Sequence, residues 1–431
     1  MKKVLIITYY WPPSGGSAVL RWLKFAKYLR EFNWEPVVYT PANPEPQEID
    51  PSLLKDLPPD LVVITSKIFE PYNVYKWLTG KKKEDRLGVA MMSDKKKPGL
   101  ISKLSLWIRS NLFIPDPRRF WVNPSIRLLC KRLRISHVDI VITTGPPHSM
   151  HLIGLGLKRR LGIKWVADFR DPWTNIDFYR DLTLTRSADL CHRKLEKKVL
   201  QEADHVITVS PGMTREFELM GIKNVTTITN GYDEEPLMAG KPETNKFTLL
   251  HLGSMPKSRN PEILWKVLSD LAKHNALFAS RLQIKLIGKT DLVVKESIKS
   301  YELNDYVVSK EFVHHDQTLG LLTGATVLLL CINNTPNAGG ILTNKFFEYL
   351  SAHRPILALG PADGDASAIL AETGAGKIFG YSDTLGLKNQ LLTLFELYSQ
   401  HNLKIESRDI ERFSRKNLTR ELSELLNRLI T

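Results

Sequence analysis

Short apolar, β-branched runs alternate with amphipathic stretches along most of the chain. Val4–Thr8, Pro36–Thr40, Leu61–Thr65, Asp139–Thr143, Lys164–Asp168, His205–Val209 and Val225–Thr229 read as strands apolar on both faces. Between the first two, Ala18, Trp22, Phe25, Ala26 and Leu29 share one helical face. The alternation restarts further on, with strands at Phe247–Leu252, Leu282–Ile287, Thr326–Ile332 and Pro355–Leu359. Helices are predicted near Pro261–His274, Asn344–Ala352 and Leu385–Ser399. Such alternation predicts an α/β chain of two doubly wound parallel sheets. The polar stretch from Asn230-Gly231 through Pro236 to Gly240-Lys241-Pro242 separates a first domain, 1–235, from a second, 236–408. A closing helix over 409–431 turns Phe413, Leu418, Leu422, Leu425 and Leu429 inward.

One region breaks the rhythm. Residues 67–125 carry Lys81-Lys82-Lys83, Lys95-Lys96-Lys97 and Arg118-Arg119 among Trp77, Trp107, Phe113, Phe120 and Trp121. They read as a basic, aromatic insertion into the first domain, either a solvated loop or a surface for anionic lipid. The net charge of +14 agrees with an anionic partner, and its placement sharpens that. Residues 1–200 hold 35 basic and 19 acidic side chains, and 201–431 hold 25 and 27.

Composition excludes several classes. With 43% hydrophobic and 25% charged residues, the chain of 431 is neither disordered nor fibrous. Cys130, Cys191 and Cys331 are scattered, form no disulfide framework and read as reduced thiols; no metal-ligand cluster is evident. The apolar run after Lys2-Lys3 is too short for a signal peptide, and no stretch reaches the length of a membrane span. A cytoplasmic protein is expected, peripheral at the inner face of the plasma membrane if it touches one.

Two tempting motifs fail. Gly154-Leu155-Gly156 never completes a dinucleotide fingerprint, and Gly288-Lys289-Thr290 lacks the upstream glycine of a phosphate loop. The turn Pro12-Pro13-Ser14-Gly15-Gly16-Ser17 is better placed, between strand and helix. There Gly15 and Gly16 allow close approach, free N–H groups face an anion, and Arg21 lies one turn in. A second strand–glycine–basic turn runs from Leu252 through Gly253 to Lys257, Arg259 and Pro261. Then Asn337-Ala338-Gly339-Gly340 leads to a helix with Lys345 and Glu348 on one face. A lysine there can neutralise a diphosphate, and a carboxylate can accept from a sugar hydroxyl.

In this order the pieces resemble the retaining GT-B glycosyltransferases of family 4 over nearly the whole chain. The resemblance rests on Pro12-Pro13-x-x-Gly15-Gly16 with Arg21, and on Trp165-Val166-Ala167-Asp168-Phe169-Arg170-Asp171-Pro172-Trp173. It continues through Val209-Ser210-Pro211-Gly212-Met213, Thr229-Asn230-Gly231-Tyr232-Asp233, Gly253 to Arg259, and Lys345-x-x-Glu348-Tyr349-Leu350 with Pro355. It implies two Rossmann-like domains facing a cleft, with the last helix crossing back to the first. The second domain would bind a UDP- or GDP-sugar, with Arg259, Lys345, Gly339 and Gly340 at the diphosphate and Glu348 at the ribose. Phe312-Val313-His314-His315 would face the base, and Gly15 and Gly16 the phosphates. Asp168, Arg170 and Asp171 would line the acceptor side. Where relatives often carry a glutamate eight residues before Glu348, this chain has Gly340; where several present a histidine, it has Arg170 or Asp171. His148 and His151 lie near another strand end, as structural residues or as groups facing the cleft.

The expected activity is sugar transfer with retention, without a metal or other cofactor, to a saccharide or lipid-linked acceptor of cell-surface polysaccharide synthesis. An epimerase or phosphorylase of the same architecture is the nearest alternative. A basic nucleic-acid binder is a third, though no nucleic-acid-binding motif is present and nucleic acid is not the expected partner.

Overall fold

The computed structural model describes residues 1–45, 49–70, 100–233, 245–311, 313 and 315–431. The chain forms two compact units, Met1–Thr229 with Arg415–Thr431, and Asn230–Ser414. The expected division after residue 235 falls in 234–244, outside the described residues.

In the first unit the chain runs β1 (Lys2–Ile7), α1 (Ser17–Leu29), β2 (Trp34–Pro41), β3 (Val62–Ser66), α2 (Leu100–Leu112), α3 (Arg119–Leu133) and β4 (Ile140–Gly145). It continues α4 (Ser149–Leu161), β5 (Lys164–Phe169), α5 (Arg186–Glu202), β6 (His205–Thr208), α6 (Pro211–Leu219) and β7 (Val225–Thr227). The strands form one sheet of order β3-β2-β1-β4-β5-β6-β7, every pair parallel. Helices cover both faces, so β4 is buried at every position and reads as a continuous apolar run.

The second unit repeats the plan. Its elements are β8 (Phe247–Leu252), α7 (Glu262–His274), α8 (Ala276–Arg281), β9 (Leu282–Ile287), α9 (Leu292–Ser300), β10 (Val307–Lys310), α10 (His315–Gly324) and β11 (Val327–Cys331). Then come α11 (Asn344–Ser351), β12 (Ile356–Leu359), α12 (Asp365–Thr373), β13 (Gly376–Phe379) and α13 (Thr384–Ser399). The sheet order is β10-β9-β8-β11-β12-β13, again parallel. The edge strands β10 and β13 are absent from the sequence reading.

The last helix, α14 (Arg415–Ile430), returns to the first unit. Leu418, Leu422, Leu425 and Leu426 enter the same apolar cluster as Val19, Trp22, Leu23 and Ala26 of α1. It starts later than the sequence suggests. Ile410–Phe413 is a separate single turn, and the Phe413 ring packs 5.3 Å from Phe347 in the second unit. The supposed insertion also ends early. Trp121 of α3 stacks on Tyr39 of β2 at 4.8 Å, and Tyr39 Oη donates to Ser125 Oγ at 2.8 Å. Residues 119–125 thus belong to the sheet's own helical layer, while 71–99, with Trp77 and both lysine triplets, lie outside the described residues.

Candidate active site

In an open parallel sheet, ligands settle beyond the carboxyl ends of the strands where strand order reverses. That point lies between β1 and β4 in the first unit and between β8 and β11 in the second.

In the second unit β8 gives way to Gly253 at φ +117, and β9 to Gly288 at φ +126. Only glycine adopts these angles without strain. The two backbones meet there: a Cβ on Gly288 would stand 2.4 Å from the Gly253 carbonyl oxygen. A Cβ on Gly253 would stand 2.1 Å from Cε and 2.5 Å from Nζ of Lys345, so the lysine lies against bare backbone. Tyr349, one turn on, pins the helix by accepting the Leu252 N–H at 2.8 Å. Arg259 Nε donates to Asn333 Oδ1 at 2.6 Å, and its guanidinium reaches the Ser254 carbonyl at 3.3 Å. Asn333 itself is fixed by Tyr381, whose hydroxyl donates to its carbonyl at 2.7 Å.

The electrostatics of this corner follow from two convergent cations. His251 is buried with Nδ1 3.1 Å from the Leu329 carbonyl oxygen. Burial, joined by the charges of Lys345 and Arg259, pushes its pKa down to about 4, so the ring is neutral. Burial also pushes the Cys331 thiol up to about 12, against the pull of Arg259, which makes it an inert thiol. Glu348 is half-buried on α11, one turn after Lys345. Gly339 and Gly340 form a separate short turn, Ala338–Gly340, before α11, whose N-cap is Thr343. Val313 packs against the cluster of Phe346 and Phe347; its neighbours Phe312 and His314 lie outside the described residues.

The first unit treats its charges differently. Gly16, at φ +87, is the N-cap of α1 and supplies no side-chain cap. Arg21 does not face a ligand there. It is 1% exposed, pairs with Asp168 at 2.9 Å, and donates to the carbonyls of Ile228 at 2.8 Å and Thr229 at 2.7 Å. Asp168 is fully buried and also accepts from Trp22 Nε1 at 2.7 Å and Thr144 Oγ1 at 2.8 Å. Both residues are therefore removed from the ligand-facing set; the fold itself uses every polar atom they offer.

Arg170 and Asp171 do reach the strand ends. Arg170 donates to the Ala18 carbonyl at 2.7 Å and to the Pro146 carbonyl, bridging the first turn of α1 and the loop after β4. Asp171 is exposed beside it. Glu196 holds the following turn, accepting from the N–H groups of Trp173 and Thr174 at 3.2 Å each and from Thr174 Oγ1 at 2.6 Å.

His148 stacks on Trp173 at 4.7 Å, and His151 on Phe169 at 4.4 Å. Burial drives His151 to about 3 and His148 well below its ordinary 6.5. Both are neutral; His151 is fully enclosed, whereas His148 is half-exposed.

Comparisons with known proteins agree with this architecture. The Glycosyltransferase Family 4 model matches residues 90–236, about a third of the chain. Sucrose-phosphate synthase from Thermosynechococcus elongatus superimposes with TM-score 0.62 at 13% identity, covering 100% of this chain and 99% of its own. Anabaena HepE, solved with UDP-glucose, gives 0.60 at 13% identity over 99% and 100%. The lipopolysaccharide outer core galactosyltransferase WaaB gives 0.57 at 12% over 99% of each chain. The fold is GT-B. A search of curated proteins returns no match.

Within this GT-B fold, the sequence assigns no role to Asn333 or His251, offers Gly288 only as part of a failed phosphate loop, and names Tyr349 only within the Lys345-x-x-Glu348-Tyr349-Leu350 motif. Tyr349 alone carried a local signal, its place on the helix one turn after Lys345. The other three act through neighbours brought from separate strands. Among the described residues no group of three or more His, Cys, Asp or Glu is arranged to hold a metal. Among them, too, no helix is long and apolar enough to cross a membrane.

Proposed function

We propose that this protein is a glycosyltransferase that moves a sugar from a nucleotide-diphosphate donor to a saccharide or lipid-linked acceptor. The observation that carries the reading is the convergence of Lys345 and Arg259 on the Gly253-Ser254 turn, Lys345 against Gly253 and Arg259 on the Ser254 carbonyl, at the switch point of the second sheet. Two cations beside bare backbone form a cradle for a diphosphate, and Glu348 one turn on suits a ribose hydroxyl. The UDP-glucose bound to HepE and the family match over residues 90–236 support the same chemistry. The nucleotide is a uridine or guanosine diphosphate, and the setting is cell-surface polysaccharide synthesis in the cytoplasm.

Transfer proceeds with retention. The anomeric carbon–oxygen bond to the diphosphate breaks while the acceptor oxygen bonds on the same face. The acceptor proton goes to the departing phosphate oxygen, and Lys345 and Arg259 balance the charge that develops there. Arg170 and Asp171, on the first unit, orient the acceptor; Asp168 keeps their strand end in place through Arg21. The reaction needs no metal, so activity is expected to persist in EDTA.

Titration calorimetry with UDP, GDP and their sugar conjugates tests the donor site. One nucleotide should bind to the wild type and at least tenfold more weakly to Lys345→Ala and Glu348→Ala. Equal affinity in all three proteins overturns the assignment. Proton NMR of the product then reads the anomeric configuration, and inversion would refute retention. An epimerised sugar formed from donor alone would replace transfer by epimerisation.

A further inference from the structure

The solvent face of α3 carries a feature the catalytic reading leaves unused. From Pro117 to Val138 the chain has six Lys or Arg and no Asp or Glu. Arg119, Arg127, Lys131 and Arg134 recur at spacings of eight, four and three, so they share one exposed side of the helix with Phe120. The opposite side is buried through Trp121, Ser125, Ile126, Leu129 and Leu133.

Among the described residues these four cations form no salt bridge. Arg119 and Arg127 bond only to the carbonyls of Leu112 at 3.1 Å and Asn123 at 3.5 Å. Neighbouring helices behave otherwise: Lys158 pairs with Asp204 and Arg159 with Glu202. Both ends of the cationic stripe are flanked by exposed apolar side chains. At its start stand Phe120 at 44% exposure, Phe69 at 60% and Leu112 at 56%, and just past its end Ile135 at 84%. The Phe120 ring lies 6.0 Å from Phe69 and 5.9 Å from Phe113, so these form one apolar rim.

We propose that this face docks on a bilayer of anionic phospholipid, with the cations over the headgroups and the Phe69–Leu112–Phe120 rim seated at the acyl boundary. Charge complementarity selects an anionic partner, since four unpaired cations in a row repel one another until counter-charge arrives. Nucleic acid supplies that charge but gives Leu112 and Ile135 nothing apolar to enter, whereas the interface of a membrane supplies both. The inference does not depend on the donor or the reaction.

The test uses the full chain and sedimentation with sucrose-loaded vesicles, either phosphatidylcholine alone or with a third phosphatidylglycerol. Wild-type protein should bind the mixed vesicles, weaken as salt is raised, and ignore the neutral ones. The triple variant R127Q/K131Q/R134Q should lose about a hundredfold in affinity, at about 1 kcal/mol per cation removed. The second variant, Phe69→Ser with Phe120→Ser, should weaken binding in a way that added salt does not abolish. Circular dichroism establishes that both variants fold. Equal binding to neutral vesicles, an unaffected triple variant, or a fluorescent RNA of matched charge bound more tightly than the mixed vesicles would each overturn the proposal.

Discussion

The two units place the same local code, a strand, a glycine turn, a basic residue and a helix, at equivalent points of their sheets, and use it in opposite ways. In the first, Arg21 is buried against Asp168 and two backbone carbonyls. In the second, Arg259 and Lys345 stay half-exposed at the strand ends. The cause lies one strand beyond the switch point. β5 reads Lys-Trp-Val-Ala-Asp-Phe and brings Asp168 to the centre of the sheet, whereas its counterpart β12 reads Ile-Leu-Ala-Leu and brings no charge. A basic residue near a glycine turn is drawn into the core when the next strand offers a carboxylate there, and stays nearer the surface when it does not.

The sharpest way to break this contrast is to remove the carboxylate. Asp168→Ala strands a buried guanidinium, and the loss of stability should be about 3–5 kcal/mol, read from urea unfolding. Lys345→Ala, at a half-exposed position, should change the same midpoint by less than about 1 kcal/mol. An Asp168→Ala protein that unfolds at the wild-type urea concentration would remove the distinction.

The converse experiment measures donor affinity. Arg259→Ala should weaken nucleotide binding by about 10- to 100-fold, the range for a charged hydrogen bond worth about 1.5–3 kcal/mol. Asp171→Asn, on the first unit, should leave that affinity unchanged and lower the transfer rate instead. A donor defect in Asp171→Asn with none in Arg259→Ala would reverse the assignment of the two units.

Gly253→Ala probes the backbone beneath the cations. Its Cβ would strike the Lys345 side chain at a φ of +117, so the lysine must leave its place or the turn must distort. A loss of about 1–3 kcal/mol in stability is expected, with a weaker donor affinity beside it. Wild-type values of both would mean that Lys345 is not seated there in solution.

Much of this was legible in the chain because strands buried on both faces announce themselves. β1, β4, β8 and β11 are apolar runs, and helices cover them. Edge strands do not: β10 is Val-Val-Ser-Lys and β13 Gly-Lys-Ile-Phe, short and partly exposed, so neither pattern stands out. The glycine turns and Lys345 with Glu348 were readable as local spacings. The fate of Arg21 was not, since its partner Asp168 lies 147 residues away. Gly288 was set aside as a failed phosphate loop, yet its role is close approach to Gly253 from another strand, which no linear motif encodes. The insertion expected over 67–125 takes in Arg119 and Phe120 but stops short of Arg127, Lys131 and Arg134, because the packing of Trp121 and Ser125 that joins them in one helix is tertiary.

The smallest expected effect concerns the neutral imidazole under the cations. His251 has a native pKa of about 4 against an ordinary 6.5. Between those values the unfolded chain binds a proton that the native protein refuses, so stability falls as pH drops from 6.5 toward 4. From pH 7 to pH 6 this one residue should account for about 0.7 kcal/mol of that loss, at about 1.4 kcal/mol per pKa unit. His251→Asn keeps an amide beside the Leu329 carbonyl and removes the titration, so its stability should decline less over that interval. The difference between the two slopes isolates His251 from the other histidines whose proton affinity burial lowers, His148, His151, His192 and His205, which both proteins share. A bound nucleotide should reduce the difference, since its diphosphate offsets the charges of Lys345 and Arg259 that help hold the ring neutral. Identical slopes with and without His251 would place its proton affinity near the ordinary value, and the two cations too far away to act on it.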